Sequence, residues 1–411
     1  MKILLWSQHF WPENFLINDL AAMLARHGHE VTVLTGKPNY PGGVVYPGYS
    51  RAGVQREWHA GIQIVRIPLM PRGRGTAFRL ALNYLSFIAS GYLLAPWSLR
   101  GRRFDAVFVY ATSPVLQALP AIFLSWLKRA PLTVWVQDLW PESLRATGFV
   151  RSSLLLSAVK TVVRHIYRSC DLILVQSEAF RASVQDLAGP QKTVNYFPNA
   201  ILAPPLAASR AEVSDSLAES MQGFFTVVFA GNIGKAQSCE TILRAAALLG
   251  AVEEIRFYIV GTGSHAATIA EEVAGEKLAN VILTGVLAPE AMPQLFAAAS
   301  VLLVTLVDDP AMSATIPSKL QAYLAAGKPV IASLNGEGAR VVLAAQAGLT
   351  SPAEDAGALA DRILALYRMT VDERLRLGNN GARYFKAHFD LEARVRELTR
   401  HFEDLQKKCW R

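Results

Sequence analysis

Cysteine is scarce in this chain. Its 411 residues hold three, Cys170, Cys239 and Cys409, far apart and without metal-ligand spacing. That excludes a disulfide framework, argues against a zinc site and fits a reducing cytoplasm. The three-glycine fingerprint of dinucleotide folds is missing after the first apolar run, which disfavours a nicotinamide cofactor. Short-period repeats and low-complexity tracts are also missing. Residues 1–6 make too short an apolar run for a signal peptide, since Gln8 and His9 follow at once, and they read as a first buried strand. Acidic residues are missing from 58–104, where seven arginines stand: Arg66, Arg72, Arg74, Arg79, Arg100, Arg102 and Arg103.

What is present is apolar and basic. Hydrophobic residues make up 52% of the chain, enough for sizeable cores, and the length suits two domains of ordinary size. The net charge of +8 points to an anionic partner: nucleic acid, an anionic membrane or a phosphorylated substrate. Strand-like runs at 3–6, 31–35, 62–67, 106–110, 132–136, 172–175 and 194–197 alternate with helical stretches. In 18–27, for example, Leu20, Met23 and Leu24 share a face and Gly28 closes it. This alternation predicts a parallel sheet with helices on both sides. Residues 198–223, with Pro204-Pro205, lose the rhythm and read as a linker. The rhythm restarts at 226–230, 256–260, 281–284, 301–305 and 329–332. The expected fold is α/β, two doubly wound Rossmann-like domains facing across a cleft, with ligands at the carboxyl ends of the strands. The expected boundaries are 1–203, a linker at 204–223, a second domain at 224–380, and a charged amphipathic helix over 381–411.

The basic, acid-free region surrounds the apolar run 80–99, long enough on the rule of about twenty residues to span a bilayer. Asn83, three serines, Gly91 and Pro96 interrupt it, and it sits between two strands of one sheet, which argues against spanning. The segment 72–103 reads instead as membrane-facing, with aromatic and leucine side chains in lipid and arginines on phosphates. The basic amphipathic stretch 154–168, with Lys160, Arg164 and Arg168, can extend that surface. A buried helix between domains is the alternative. The basic residues flank leucines rather than interleaving with aromatics on a polar face, which disfavours nucleic acid.

The chain is organised around 316–331. Pro317 and Ser318 read as the opening of a short helix, with Ser318 as its cap. Leu320, Tyr323 and Leu324 form the buried face, and Gly327 ends the helix before a strand at 330–332. A helix start bearing Ser318 and Lys319 suits phosphate; an ordinary capped helix is the alternative. Upstream, Gly231, Asn232, Gly234, Lys235 and Gln237 follow a strand, where the glycines admit a ligand and Lys235 meets phosphate. Gly261 and Gly263 follow the next strand and Gly285 the third; a tight turn is the bland reading of the first pair. Asp308-Asp309 suits a solvated turn better than a metal. In the first half, His9, Glu13 and Asn14 lie in the first strand-to-helix loop and can bind sugar hydroxyls; alternatively Asn14 or Asn18 starts the helix. Asn39 belongs to a second such loop, 36–43. Asp138 and Glu142 flank Trp140 at the mouth of a buried strand, which suits sugar binding or acid/base work.

Together these residues resemble the GT-B glycosyltransferases of family 4. The resemblance is carried by Phe10-Trp11-Pro12-Glu13-Asn14, the loop from Gly36 to Pro41, the run from Gln137 to Ser143, the run from Gly231 to Gln237, and Pro317-Ser318-Lys319. Within the family the match is to a bacterial surface-polysaccharide (O-antigen or capsule) subgroup that includes fucosamine transferases (WbuB-like). The resemblance implies a retaining, metal-independent enzyme with no cofactor beyond its nucleotide-sugar substrate. It implies an acceptor-binding first domain, a donor-binding second domain and a final helix that crosses back to the first. One departure stands out. The wider family carries two glutamates eight positions apart, where this chain has Ser313 and Gln321; Gln321 can still bond a ribose, but Ser313 cannot replace a carboxylate.

The expected reaction moves a sugar, N-acetylfucosamine or one like it, from a UDP-sugar to a polyprenyl-diphosphate-linked acceptor. The enzyme is expected to be cytoplasmic and peripheral on the inner face of the plasma membrane. The leaving diphosphate gains charge as the bond breaks, and fixed cations with a helix dipole stabilise it. Catalytic roles go to Lys319 and Lys235 at the diphosphate and to Asp138 on the acceptor side. Rival readings are a UDP-sugar epimerase of the same fold, which the 80–99 segment disfavours, and a non-catalytic membrane-associated nucleotide-binding scaffold, which the missing glutamates favour.

Overall fold

The apolar runs become strands because each is flanked by helices on both faces and so must be buried throughout. In the computed structural model, which describes residues 1–73, 76–146, 152–202 and 215–409, the chain divides into two compact units. The first is Met1–Ala200 with Leu391–Arg411; the second is Ile201–Asp390. The proposed linker falls mostly on 203–214, outside the described residues; its end, Asp215–Met221, is a helix of the second unit.

The first unit holds β1 (Lys2–Trp6), β2 (Glu30–Gly36), β3 (Gln55–His59), β4 (Ile62–Ile67), β5 (Ala106–Ala111), β6 (Leu132–Val136), β7 (Leu172–Val175) and β8 (Val194–Tyr196). They form one sheet in the order β3-β4-β2-β1-β5-β6-β7-β8. β3 corrects the expectation of a wholly parallel sheet: it pairs antiparallel with β4 through the two-residue turn Ala60-Gly61, both at positive φ, the geometry that favours a tight hairpin. The second unit holds β9 (Phe225–Ala230), β10 (Ile255–Val260), β11 (Val281–Gly285), β12 (Val301–Thr305), β13 (Val330–Ser333) and β14 (Gly348–Ser351), all parallel, in the order β11-β10-β9-β12-β13-β14. The strand order reverses at β1, between β2 and β5, and at β9, between β10 and β12. A crevice opens at the carboxyl ends of the strands at each such point.

The charged C-terminal stretch is two helices rather than one, Val371–His388 and Leu391–Cys409, broken at Phe389-Asp390. Leu391, Val395, Leu398 and Phe402 recur at helical spacing and are fully buried in the first unit's core beside Ile17, Leu20 and Phe108. Each contributes about 1.5–3 kcal/mol of apolar burial, which fastens the chain's end to its beginning. Val371–His388 packs instead on the helix Ser318–Ala325 in the second unit, where a Cβ on Gly378 would overlap the Gly327 carbonyl.

The apolar run 80–99 is the helix Ala77–Ser98, the one helix among the described residues long and apolar enough to cross a membrane. It is seated on the first unit by a single stripe: Leu80, Asn83, Phe87, Gly91, Ala95 and Ser98. A Cβ at Gly91 would stand 2.8 Å from Pro120 and 2.9 Å from Trp6. Asn83, polar yet buried, accepts from Gln8 Nε2 at 2.7 Å and donates to the Met70 carbonyl at 2.6 Å. At the other end Lys128 Nζ donates to the carbonyls of Leu99 and Arg102. Asn83, which interrupts the apolar run, is therefore one of its attachment points.

Candidate active site

In the second unit the loop after β9 meets the loop after β10. Gly231 (φ 145°) and Gly261 (φ 135°) adopt backbone closed to other residues, and a Cβ on Gly261 would overlap the Gly231 carbonyl. Gly263 likewise has no room for a side chain against Ile233. Asn232, Lys235 and Gly285 are exposed, Lys235 in the 3-10 turn Lys235–Gln237. The helix Ser318–Ala325 is anchored below this point. Tyr323, fully buried, accepts from the Ala230 amide at 2.8 Å and donates to the Ala230 carbonyl at 3.1 Å. Pro317 occupies the N-cap with no side-chain cap bond, so Ser318 is the first helical residue and exposed rather than the cap expected. Gln321 is buried within the unit.

Lys319 is the centre of this cluster. Its Nζ donates to Gln237 Oε1 at 2.5 Å and lies 3.9 Å over the Phe229 ring. A Cβ at Gly231 would come within 3.1 Å of it. Among the described residues it makes no ion pair. Burial pushes its ammonium down to about 8, the Cys239 side chain opposing that shift. A desolvated cation beside glycine-lined loops, at the first turn of a helix and at the sheet's switch point, has the chemistry that suits a phosphate group. Gln237 completes it: its carbonyl accepts from Thr305 at 2.5 Å, tying the post-β9 loop to β12.

In the first unit the expected sugar-binding residues turn inward. Glu13, 1% exposed, accepts from the Asn39 amide at 2.6 Å and the Tyr40 amide at 2.7 Å with one oxygen, and meets His9 Nδ1 at 2.8 Å with the other. His9 stacks on Phe15 with ring centroids 5.0 Å apart. Asn39 is buried between the Lys37 carbonyl and the Arg72 amide. These three bind loop to loop, since a buried carboxylate takes the nearest backbone amides; Asn14 remains exposed. Neither Asn14 nor Asn18 caps the helix Leu16–Arg26: Phe15 holds that position, and Asn18 accepts from the Trp11 amide and donates to the Glu13 carbonyl.

Asp138 differs. It follows β6 and lines an apolar cavity of about 430 Å3 walled by the helix Ala77–Ser98. Trp140 Nε1 donates to its carboxylate at 3.3 Å and to Ser113 Oγ at 3.1 Å. Burial raises its pKa, against hydrogen bonds from Ser143, Ser113, Trp140 and the Leu139 amide. Glu142, exposed, begins the short helix Glu142–Ala146 outside that cavity. Sequence reasoning missed the cavity, Phe229 and the polar role of Tyr323. A tyrosine among leucines on a short helix was the available signal, because a buried hydroxyl needs a partner.

Comparison with known proteins agrees with this layout. The family described as glycosyl transferase 4-like domain matches residues 16–200, and that described as glycosyl transferases group 1 matches residues 225–369. WcaI of Escherichia coli K12, named as a colanic acid biosynthesis glycosyl transferase, is 26% identical over 345 residues, 80% of this chain and 82% of that protein. Anabaena HepE in complex with UDP is similar in fold, with TM-score 0.68, 15% identity, and 98% and 100% of the two chains covered. The α,α-trehalose 6-phosphate synthase of Burkholderia multivorans has TM-score 0.70 at 13% identity, with 99% of each chain covered. Sucrose-phosphate synthase of Thermosynechococcus elongatus gives 0.67 at 20%, with 98% of each covered. The chain is a glycosyltransferase of the GT-B fold, a glycosyl transferase 4-like domain followed by a group 1 domain.

Proposed function

We propose that this enzyme transfers a sugar, with retention and without a metal, from a UDP-sugar to a lipid-diphosphate-linked acceptor in bacterial surface-polysaccharide synthesis. The observation that carries the donor half is Lys319: a desolvated cation whose partners among the described residues are a neutral amide and an aromatic face, beside Gly231. A diphosphate leaving group supplies the missing counter-charge, and the cation stabilises it most as the glycosidic bond breaks. Lys235, exposed on the turn that carries Gln237, is the second cation we assign to the diphosphate. WcaI, by its name a colanic acid enzyme, supports a polysaccharide product, and the UDP bound to HepE supports the nucleotide. An N-acetylated deoxy sugar such as N-acetylfucosamine is the donor we favour.

The acceptor half rests on the first unit's surface. Leu93, Trp97, Trp126 and Leu154 are exposed on three adjacent helices, with Arg100, Arg103, Arg129 and Lys160 exposed on or next to the same helices. Apolar side chains rimmed by cations suit an anionic membrane surface, and we place the enzyme on the cytoplasmic face. Calorimetry with UDP in detergent tests the donor half, using NAD as control. Binding that weakens ten-fold or more in both Lys235→Ala and Lys319→Ala is the expected result. No UDP binding, or binding indifferent to both lysines, overturns it.

A further inference from the structure

The donor chemistry leaves the apolar cavity beside Asp138 unused. Its volume of about 430 Å3 lies within the range of small-molecule sites, about 300–1,000 Å3. Its walls are hydrocarbon: Phe78, Ala81, Leu85 and Ile88 from the helix Ala77–Ser98, with Leu144 and Leu155 facing them. Phe78, Leu85 and Leu155 are exposed large side chains, so the cavity continues into the apolar outer surface. A second hollow begins on the same first helical turn, where Arg51, Thr76 and Arg79 stand in a lining that also holds Val44, Leu69, Met70 and Pro71. Arg72 lies next to it, its guanidinium 5.0 Å over the Tyr40 ring. Thr76 and Arg79 line the second hollow and their neighbours Ala77 and Leu80 the apolar cavity, so the two hollows flank one helical turn.

One ligand chemistry matches an apolar cavity with two arginines in the neighbouring hollow: a long hydrocarbon chain ending in a multiply charged anion. We propose that the apolar cavity holds the first isoprene units of the acceptor's prenyl chain and that Arg79 and Arg51 hold its diphosphate. The inference deepens the lipid-linked acceptor of the reading above and rests on it, but it concerns the first unit alone.

Farnesyl diphosphate is the probe, followed by calorimetry and by Trp140 fluorescence, on the full chain in detergent. Farnesol, inorganic pyrophosphate and palmitate serve as comparison ligands. Ala81→Trp fills the cavity from an exposed helical position, Leu85→Asp charges its wall, and Arg79→Ala removes the head-group contact. Wild type is expected to bind farnesyl diphosphate, with affinity reduced ten-fold or more in each variant. Farnesol binding should fall only in the two cavity variants, and pyrophosphate binding only in Arg79→Ala. UDP binding should be unchanged in all three, which also reports that they fold. No farnesyl diphosphate binding, or binding indifferent to both cavity variants, overturns the site. Palmitate binding as tightly as farnesyl diphosphate overturns the diphosphate half. Loss of UDP binding by wild type would count against the donor reading and leave this result standing.

Discussion

Each unit holds a desolvated charged side chain near its switch point, Glu13 and Lys319, and uses it in an opposite way. After β1, Glu13 is surrounded by the Asn39 amide, the Tyr40 amide and His9, so its charge is spent inside the protein. In the second unit, at the helix beside the end of β9, Lys319 has a glutamine oxygen and a ring face and no ion pair among the described residues. A buried charge that is fully hydrogen-bonded stabilises its surroundings, whereas one left without a counter-ion is a cost that a ligand removes. Glu13 thus positions its loop, whereas Lys319 keeps a charge that an anionic ligand can answer, although the sequence presented both as candidates for binding.

That contrast can be broken by mutation. The largest effect belongs to Glu13→Ala, expected to cost about 3–5 kcal/mol of stability because two buried amides and an imidazole nitrogen lose their partner together. Urea denaturation with an unchanged slope is the measurement; a near-neutral result would end the clamp interpretation. Tyr323→Phe, which orphans the Ala230 amide and carbonyl, is expected to cost about 1–3 kcal/mol in the same assay and to loosen UDP binding through the displaced helix. Lys319→Ala should do the reverse of Glu13→Ala. It should weaken UDP by ten-fold or more, about 1.4 kcal/mol, while the folded state loses nothing, since removing a desolvated cation relieves a cost.

Two pH experiments sharpen the comparison further. Lys319 is protonated below about 8, so UDP affinity should hold at pH 7 and decline above 8 in wild type. The decline approaches about ten-fold per pH unit and should vanish in Lys319→Arg, whose charge persists; an unchanged profile in that variant would assign the titration elsewhere. Asp138 gives the smallest effect. Its pKa is raised by burial, so its contribution to stability is present below the ordinary carboxylate range and is lost as pH rises through the folded value. Asp138→Asn should therefore melt higher than wild type at pH 7, with the gap closing on acidification; a gap that widens in acid refutes the sign.

Much of the framework was legible because buried parallel strands leave continuous apolar runs, as in residues 106–111 and 301–305. β3 escaped because Gln-Arg-Glu-Trp-His is an edge strand that need not be apolar, and β14 because Gly-Leu-Thr-Ser is short and polar. The break at Phe389-Asp390 was hidden because both flanking helices are amphipathic and charged, so the pattern continues across it. At the site, Lys319 was legible from its place after Pro317-Ser318. The inward turn of Glu13 and Asn39 was not, because it depends on the loop from another strand lying within hydrogen-bond reach.

The sequence by itself determined the alternation of strands and helices, the lysine at the start of the organising helix, and a long apolar run interrupted by polar residues. These are local properties, set by periodicity and backbone chemistry that neighbouring residues carry. Tertiary structure alone decided which carboxylate is spent and which lines a cavity, that Tyr323 holds the site helix to Ala230, and that Asn83 fastens the apolar helix to Gln8 and Met70. Those outcomes rest on pairs of residues distant in the chain, and a hydrogen bond or a cavity exists only when both of its walls are in place.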